Sequence, residues 1–182
     1  MSFLTVNGAR LAYRTFGNGP ALLAPECNYS WTPEFEALMG RHFTLVVASP
    51  RDFGASTRTG APSDSNLWAS DMLSVMQHLG HETFSVFGYS FTGASFYRDL
   101  SSLRPDALVD QSPCPPYCFW GDRDVDAVEV VMPHADLAEG LTRRGVMWKE
   151  YPGLDHESLN ADLAVAWPDV ERWLLSQVGN SQ

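Results

Sequence analysis

Basic residues are scarce in this chain of 182: 12 Lys and Arg stand against 22 Asp and Glu, giving a formal net charge of −10. A surface that tracks phosphates would have to be built against that mean field, so nucleic acid and anionic membrane are set aside as partners. Cysteine is nearly as sparse. Cys27, Cys114 and Cys118 cannot all pair within one chain, and they suit a reducing compartment in which their role is packing. Cys114 and Cys118 lack a convincing second pair of ligands, so no metal centre is expected, and no cofactor motif is present. No apolar run approaches the length of a bilayer span, and the opening "MSFLTVNGARLAYRTFG" has no basic segment followed by an apolar core. The expectation is one cytoplasmic, soluble domain over residues 1–182, without repeats or low-complexity tracts.

The chain does hold a regular alternation of strand and helix signals. "FLTV" and "ARLAYRTF" flank Asn7-Gly8, a pair that accepts the positive φ angles of a tight hairpin turn. Next come the apolar run "ALLA", a helix started by Thr32-Pro33 over "PEFEALMG", and the strand "FTLVVAS". "SNLWASDMLSVMQHLG" puts Leu67, Trp68, Met72, Leu73, Val75, Met76 and Leu79 on one broad stripe, followed by the strand "TFSVFGY". A helix is read from Phe91 to Leu103, a strand at "PYCFWG", a helix at "PHADLAEGLTRRG" and a strand at "VMWKEYP". A final helix reaches about Val178, with Pro168 bending or restarting it. Apolar strands alternating with amphipathic helices predict an α/β fold: a doubly wound, mostly parallel sheet with helices on both faces, preceded by an antiparallel hairpin.

The stretch "GYSFTG" places Ser90 between a strand and a helix, at the sheet edge where doubly wound folds bind ligands. Helix N–H groups and the positive dipole end then lie beside any charge formed when the serine attacks a carbonyl, with the Phe91 N–H as first donor. A serine is protonated at neutral pH and needs an imidazole to take its proton. A carboxylate on the other ring nitrogen fixes the tautomer.

Five segments in order resemble the α/β-hydrolase superfamily: "GNGPALLAPECNYSW" its oxyanion strand and loop, "VVASPRDFGAS" its Arg-Gly-x-Gly-x-Ser loop, "VFGYSFTG" its nucleophile elbow, "FWGDRD" its acid, and "YPGLDHES" its histidine. The resemblance covers nearly the whole chain. It implies Ser90 as nucleophile, His156 as general base and acid, and Asp124 as the orienting carboxylate. Asp122, Asp126 and Asp155 stand near as rivals for the acid, and His134 reads as a structural residue at a helix start. The implied activity is hydrolysis of a small carboxylic ester through an acyl-enzyme. The alternatives are a non-catalytic binding protein on the same fold, or a lyase or acyltransferase using the same triad. Epoxide and haloalkane chemistry is disfavoured, because relatives of that kind use a carboxylate where this chain has Ser90.

The chain also departs from the family pattern. Ala24-Pro25-Glu26-Cys27 stands where the family has His-Gly, and Pro25 has no N–H, so Glu26 or Cys27 must supply the second oxyanion donor. Thr92 and Asp52 each replace a glycine. Ser90 and Asp124 are 34 positions apart, too few for a lid, and residues 105–115 are too few to join two parallel strands. The sheet can then be completed in three ways: the strand "ALVD" is lost and one strand-helix unit with it, residues 105–115 are a long loop, or a partner chain completes the edge. A lidless site is expected in each. Tyr29, Trp31, Trp68 and Phe91 are its candidate walls, and a homodimer could cover it.

Overall fold

A computed structural model of the chain describes residues 1–27, 30–60, 64–89, 116–125 and 133–179. Ser90, Phe91, Thr92, Tyr29, Asp126 and Cys114, together with the helix expected over 91–103 and the segment 105–115, lie outside the described residues. The chain divides into two compact units, Met1–Arg98 and Asp99–Gln182.

The first unit opens with β1 (Ser2–Val6) and β2 (Ala9–Phe16), antiparallel with Val6 opposite Ala9. Asn7 (φ 47°) and Gly8 (φ 80°) both take positive φ, the geometry a two-residue turn demands if it is to match strand twist. β3 (Ala21–Pro25) lies parallel to β4 (Thr44–Ala48) and to β5 (Ser85–Val86), and the sheet order is β1-β2-β4-β3-β5. The hairpin and the parallel strands are those expected from sequence. β5 is shorter than the apolar run suggested, but Phe87 still donates its N–H to the Leu23 carbonyl.

All five residues of β3 are buried, as both faces of a covered parallel strand should be. On one face Leu23, Val46 and Ala48 pack with Met72, Val75 and Met76 of α2 (Ser65–His78), and on the other Leu22, Leu45 and Val47 are equally shielded. α1 (Pro33–Met39) is capped by Thr32, whose hydroxyl accepts from Phe35 N–H, with Pro33 in the first turn.

α2 corrects the expected stripe. Leu73 is 46% exposed, whereas Asp71 is only 1% exposed. Asp71 accepts three hydrogen bonds from Arg51: Nε at 2.8 Å and the backbone N–H at 3.0 Å on Oδ2, and Nη2 at 2.7 Å on Oδ1. A buried carboxylate persists only when so paired, and this pair fastens the loop after β4 to the helix. In the same loop Asp52 has φ 72°, the left-handed conformation that the family's glycine would adopt freely. Aspartate tolerates it because its carboxylate accepts from the Thr59 backbone N–H and hydroxyl, and the first of these bonds most strongly holds its carboxyl below the usual range. Ser56 completes the loop, accepting from Ala12 N–H at 2.8 Å and donating to the Ser49 carbonyl at 2.7 Å.

The second unit pairs β6 (Tyr117–Gly121) in parallel with β7 (Met147–Tyr151). α3 (His134–Arg143) lies between them in sequence and packs Leu137 and Leu141 on Trp120. After β7 come α4 (His156–Ala161), a 3₁₀ turn (Leu163–Val165) and α5 (Trp167–Gly179). Pro168 is the second residue of α5, so it restarts the helix, in a first turn where its missing N–H has no intrahelical partner to lose.

Asp169, one residue on, accepts from Lys149 Nζ, from the Tyr151 hydroxyl at 3.0 Å and from Arg172 Nη1 at 3.1 Å. The Lys149 bond chiefly lowers its pKa. A carboxyl with a depressed folded-state pKa contributes stability that is fully present above its unfolded value of about 3.9 and is lost as pH falls through the folded value. Asp169→Asn is therefore expected to lower the melting temperature at pH 6 and to lose less on acidification than wild type. Melting curves taken from pH 6 to pH 2.5 check this, and parallel acid limbs would contradict it.

No helix among the described residues is long and apolar enough to cross a membrane. Among the same residues no group of three or more His, Cys, Asp and Glu side chains could hold a metal ion.

Candidate active site

The second unit brings two of the expected catalytic residues together, and the means is backbone packing at the ends of β6 and β7. The parallel ladder runs one step past β6, with Asp122 N–H donating to the Tyr151 carbonyl at 3.1 Å. Arg123 N–H then donates to Leu154 O at 2.9 Å, and Asp124 N–H turns back to Gly121 O at 3.1 Å. The turn carrying the acid is thus stitched to the loop carrying the histidine. Gly121 makes the approach possible: a Cβ there would lie 2.1 Å from the Leu154 carbonyl oxygen. Gly121→Ala is expected to push the two loops apart, destabilising the protein by about 2–4 kcal/mol, a cost in the range of core overpacking and beyond. Denaturant unfolding checks the stability, and an alanine variant as stable as wild type would contradict the close approach.

His156 Nδ1 lies 2.9 Å from Asp124 Oδ2. Asp124 is buried, and the side chain of His156 is about one-fifth exposed. With the Nδ1 proton directed at the carboxylate, the lone pair of the neutral ring sits on Nε2, the arrangement a general base requires.

Two of the rival carboxylates, Asp155 and Asp122, have other work, and Asp126 lies outside the described residues. Asp155 is the N-cap of α4: its carboxylate accepts from the Ser158 hydroxyl at 2.6 Å and from Ser158 N–H at 2.8 Å, the first bond foremost lowering its pKa, while Ser158 Oγ accepts from Asp155 N–H at 2.9 Å. Asp122 Oδ1 accepts from Gly153 N–H at 2.7 Å. Both therefore shape the histidine loop, and Asp124 is the carboxylate on the imidazole.

In the first unit the end of β3 requires a correction. Glu26 was one of two residues expected to offer a second oxyanion donor, but its N–H donates to Ala48 O at 2.8 Å. The parallel β3-β4 ladder extends one residue beyond the strand and uses that hydrogen. Of the pair, Cys27 remains, and it is buried. The Glu26 carboxylate is held in a bidentate pair by Arg14, at 2.8 Å from Nη1 and 2.7 Å from Nη2, and accepts Trp31 N–H at 3.0 Å. Arg14 also pairs with Glu36, and the Glu26 bond foremost raises its pKa, so it stays charged at any working pH. Neither Arg14 nor this clamp was read from sequence. A strand arginine and a glutamate 12 positions apart carry no motif.

Trp31 and Trp68, expected as pocket walls, are built into packing. Trp31 is 5% exposed, sits 5.7 Å and 5.4 Å from the rings of Phe35 and Phe87, and its indole N–H points to Ala24 O at 3.4 Å. Trp68 is 6% exposed and edge-on to Phe53 at 4.9 Å. Their described contacts are those of core residues. Ser90, Phe91 and Tyr29 lie outside the described residues.

No family model matches the chain. It is 30% identical over 97 residues to a soluble epoxide hydrolase from Corynebacterium sp. (strain C12), covering 50% of this chain and 34% of that protein. It is 31% identical over 102 residues to a fluoroacetate dehalogenase from Burkholderia sp., covering 51% and 33%. The chain thus spans about a third of the length of these curated relatives. Among solved structures, an alpha/beta hydrolase fold protein from Chitinophaga pinensis superposes with a TM-score of 0.70 at 14% identity, over 95% of this chain and 96% of that one. Over nearly its whole length the chain thus has the alpha/beta hydrolase fold, and over about half of it the chain is similar in sequence to an epoxide hydrolase and a dehalogenase.

Proposed function

We propose that residues 1–182 act as one serine hydrolase domain that cleaves a small carboxylic ester through an acyl-enzyme. The observation that carries this reading is the 2.9 Å contact between His156 Nδ1 and the buried Asp124 carboxylate, with chain order Ser90, Asp124, His156. In the proposed cycle His156 Nε2 takes the Ser90 proton as the hydroxyl attacks the acyl carbon, and the N–H groups of Phe91 and Cys27 receive the oxyanion. Collapse transfers the proton from His156 to the leaving alcohol. Water, deprotonated by the same nitrogen, then clears the acyl group and regenerates Ser90.

The names of the sequence relatives favour a second reading, the opening of an epoxide or displacement of a halide. The residue at position 90 weighs against it. A serine attacking an alkyl carbon makes an ether, which water does not cleave, so the cycle would stop after one turnover. Attack on an acyl carbon makes an ester that the same base can hydrolyse.

Turnover of short p-nitrophenyl esters, an epoxide and fluoroacetate separates the readings. A burst of nitrophenolate stoichiometric with protein, followed by steady release, is expected. Diol or fluoride production without ester turnover would overturn the ester reading. Folded protein inert toward all three probes would favour the rival in which the fold only binds.

A further inference from the structure

Asp124 is held by two histidines, and the proposed cycle uses one of them. His156, the first residue of α4, meets its carboxylate. His134, the first residue of α3, places Nε2 at 2.7 Å from its main-chain carbonyl oxygen. A carbonyl can only accept, so this contact fixes the proton on His134 Nε2. The other ring nitrogen, Nδ1, lies 3.6 Å from Glu150 Oε1, and that oxygen accepts the Trp120 indole N–H at 2.7 Å. Trp120 is stacked on Trp148 at 5.2 Å and 15°, and its ring centroid lies 6.1 Å from that of His134. Residues of β6, β7 and α3 thus form a bracket around the imidazole, whose side chain is only 13% exposed.

We propose that His134 is a positioning residue for the acid, a role that rests on the catalytic reading of Asp124 and His156. It touches no reacting atom. By anchoring the Asp124 main-chain carbonyl while His156 meets the carboxylate, it fixes the rotation of the peptide that follows the residue bearing the carboxylate. Small rotations of that peptide displace the Asp124 oxygens, and with them the His156 ring. A misplacement of about 1 Å in a catalytic group can cost about 10²-fold in rate.

The test compares three variants. His134→Gln sets an amide donor at the level of Nε2, His134→Asn sets one at the level of Nδ1, and His134→Phe keeps the ring without a donor. Two readouts are taken on each: the downfield imidazole proton of His156 in the NMR spectrum of the resting protein, and kcat and KM for p-nitrophenyl acetate alongside the melting temperature. The expected result is that Phe and Asn lose the downfield resonance and drop kcat by about 10- to 100-fold with KM within about twofold. Gln is expected to restore most of both. A resonance and kcat unchanged in Phe and Asn would overturn the proposal, as would losses in all three that simply follow the fall in melting temperature. Should wild type show the resonance yet turn over no ester, the esterase reading fails while the NMR comparison still decides the role of His134.

Discussion

Asp124→Asn is expected to lower ester turnover by about 10⁴-fold while the protein stays folded, because an amide in that place favours the wrong imidazole tautomer. Asp124 Oδ2 accepts from His156 Nδ1 at 2.9 Å in a buried setting, so the proton is held on Nδ1 and Nε2 is left basic. An asparagine can turn its NH₂ toward Nδ1. The ring would then carry its proton on Nε2, where it cannot take one from a serine. The substitution nearly preserves volume, so the turn that ties Asp124 N–H to Gly121 O and Arg123 N–H to Leu154 O is expected to persist. Steady-state kinetics with p-nitrophenyl acetate, read beside the melting temperature, checks this. A loss under tenfold would remove Asp124 from the mechanism.

The largest effect on stability is expected at Asp71. Removing its carboxylate in Asp71→Ala leaves the buried Arg51 guanidinium without two bonds and the Arg51 backbone N–H without a third. Breaking a buried pair from one side costs about 3–5 kcal/mol, because the remaining charge has lost its compensation. For a chain of this size, that lowers the melting temperature by about 10 °C. The double replacement Arg51→Met with Asp71→Leu removes both charges and keeps apolar volume, and it is expected to recover most of the loss. Urea unfolding of the two single variants and the double gives the coupling directly. If Asp71→Ala costs less than about 1 kcal/mol, the ion pair does not anchor the loop.

Sequence patterns that are local or motif-borne translated well into structure. Asn7-Gly8 specifies its turn by backbone conformation alone, and the apolar runs at β3 and β4 can only be covered strands. "GDRD" and "GLDHES" meet because each sits just past a strand, and β6 and β7 are parallel neighbours. Features that depend on a distant partner were illegible. The stripe named Leu73 and passed over Asp71, which Arg51, 20 positions away, draws inward while Leu73 is left exposed. Glu26 offered an N–H by its place after Pro25, but the register of β3 against β4 consumes that hydrogen at Ala48. His134 read as a helix-start residue, and so it is. Its bond to the acid's carbonyl depends on where α3 returns to the sheet end, which no local pattern encodes.

The burial of Cys118 shows the same dependence on context. Its thiol is pushed up to about 11 by desolvation alone, which leaves it protonated and unreactive at neutral pH and agrees with packing as its role. Of the proposed triad, Ser90 falls within the residues of the first unit, and Asp124 and His156 within those of the second.

Reaction with a serine-directed fluorophosphonate, followed by peptide mass spectrometry, tests the central claim most directly. The account predicts one adduct per chain on Ser90, abolished in Ser90→Ala and slowed at least about 10³-fold in His156→Ala, since neither nucleophile nor base acts alone. Folded protein that forms no adduct, or an adduct that survives Ser90→Ala, would contradict it.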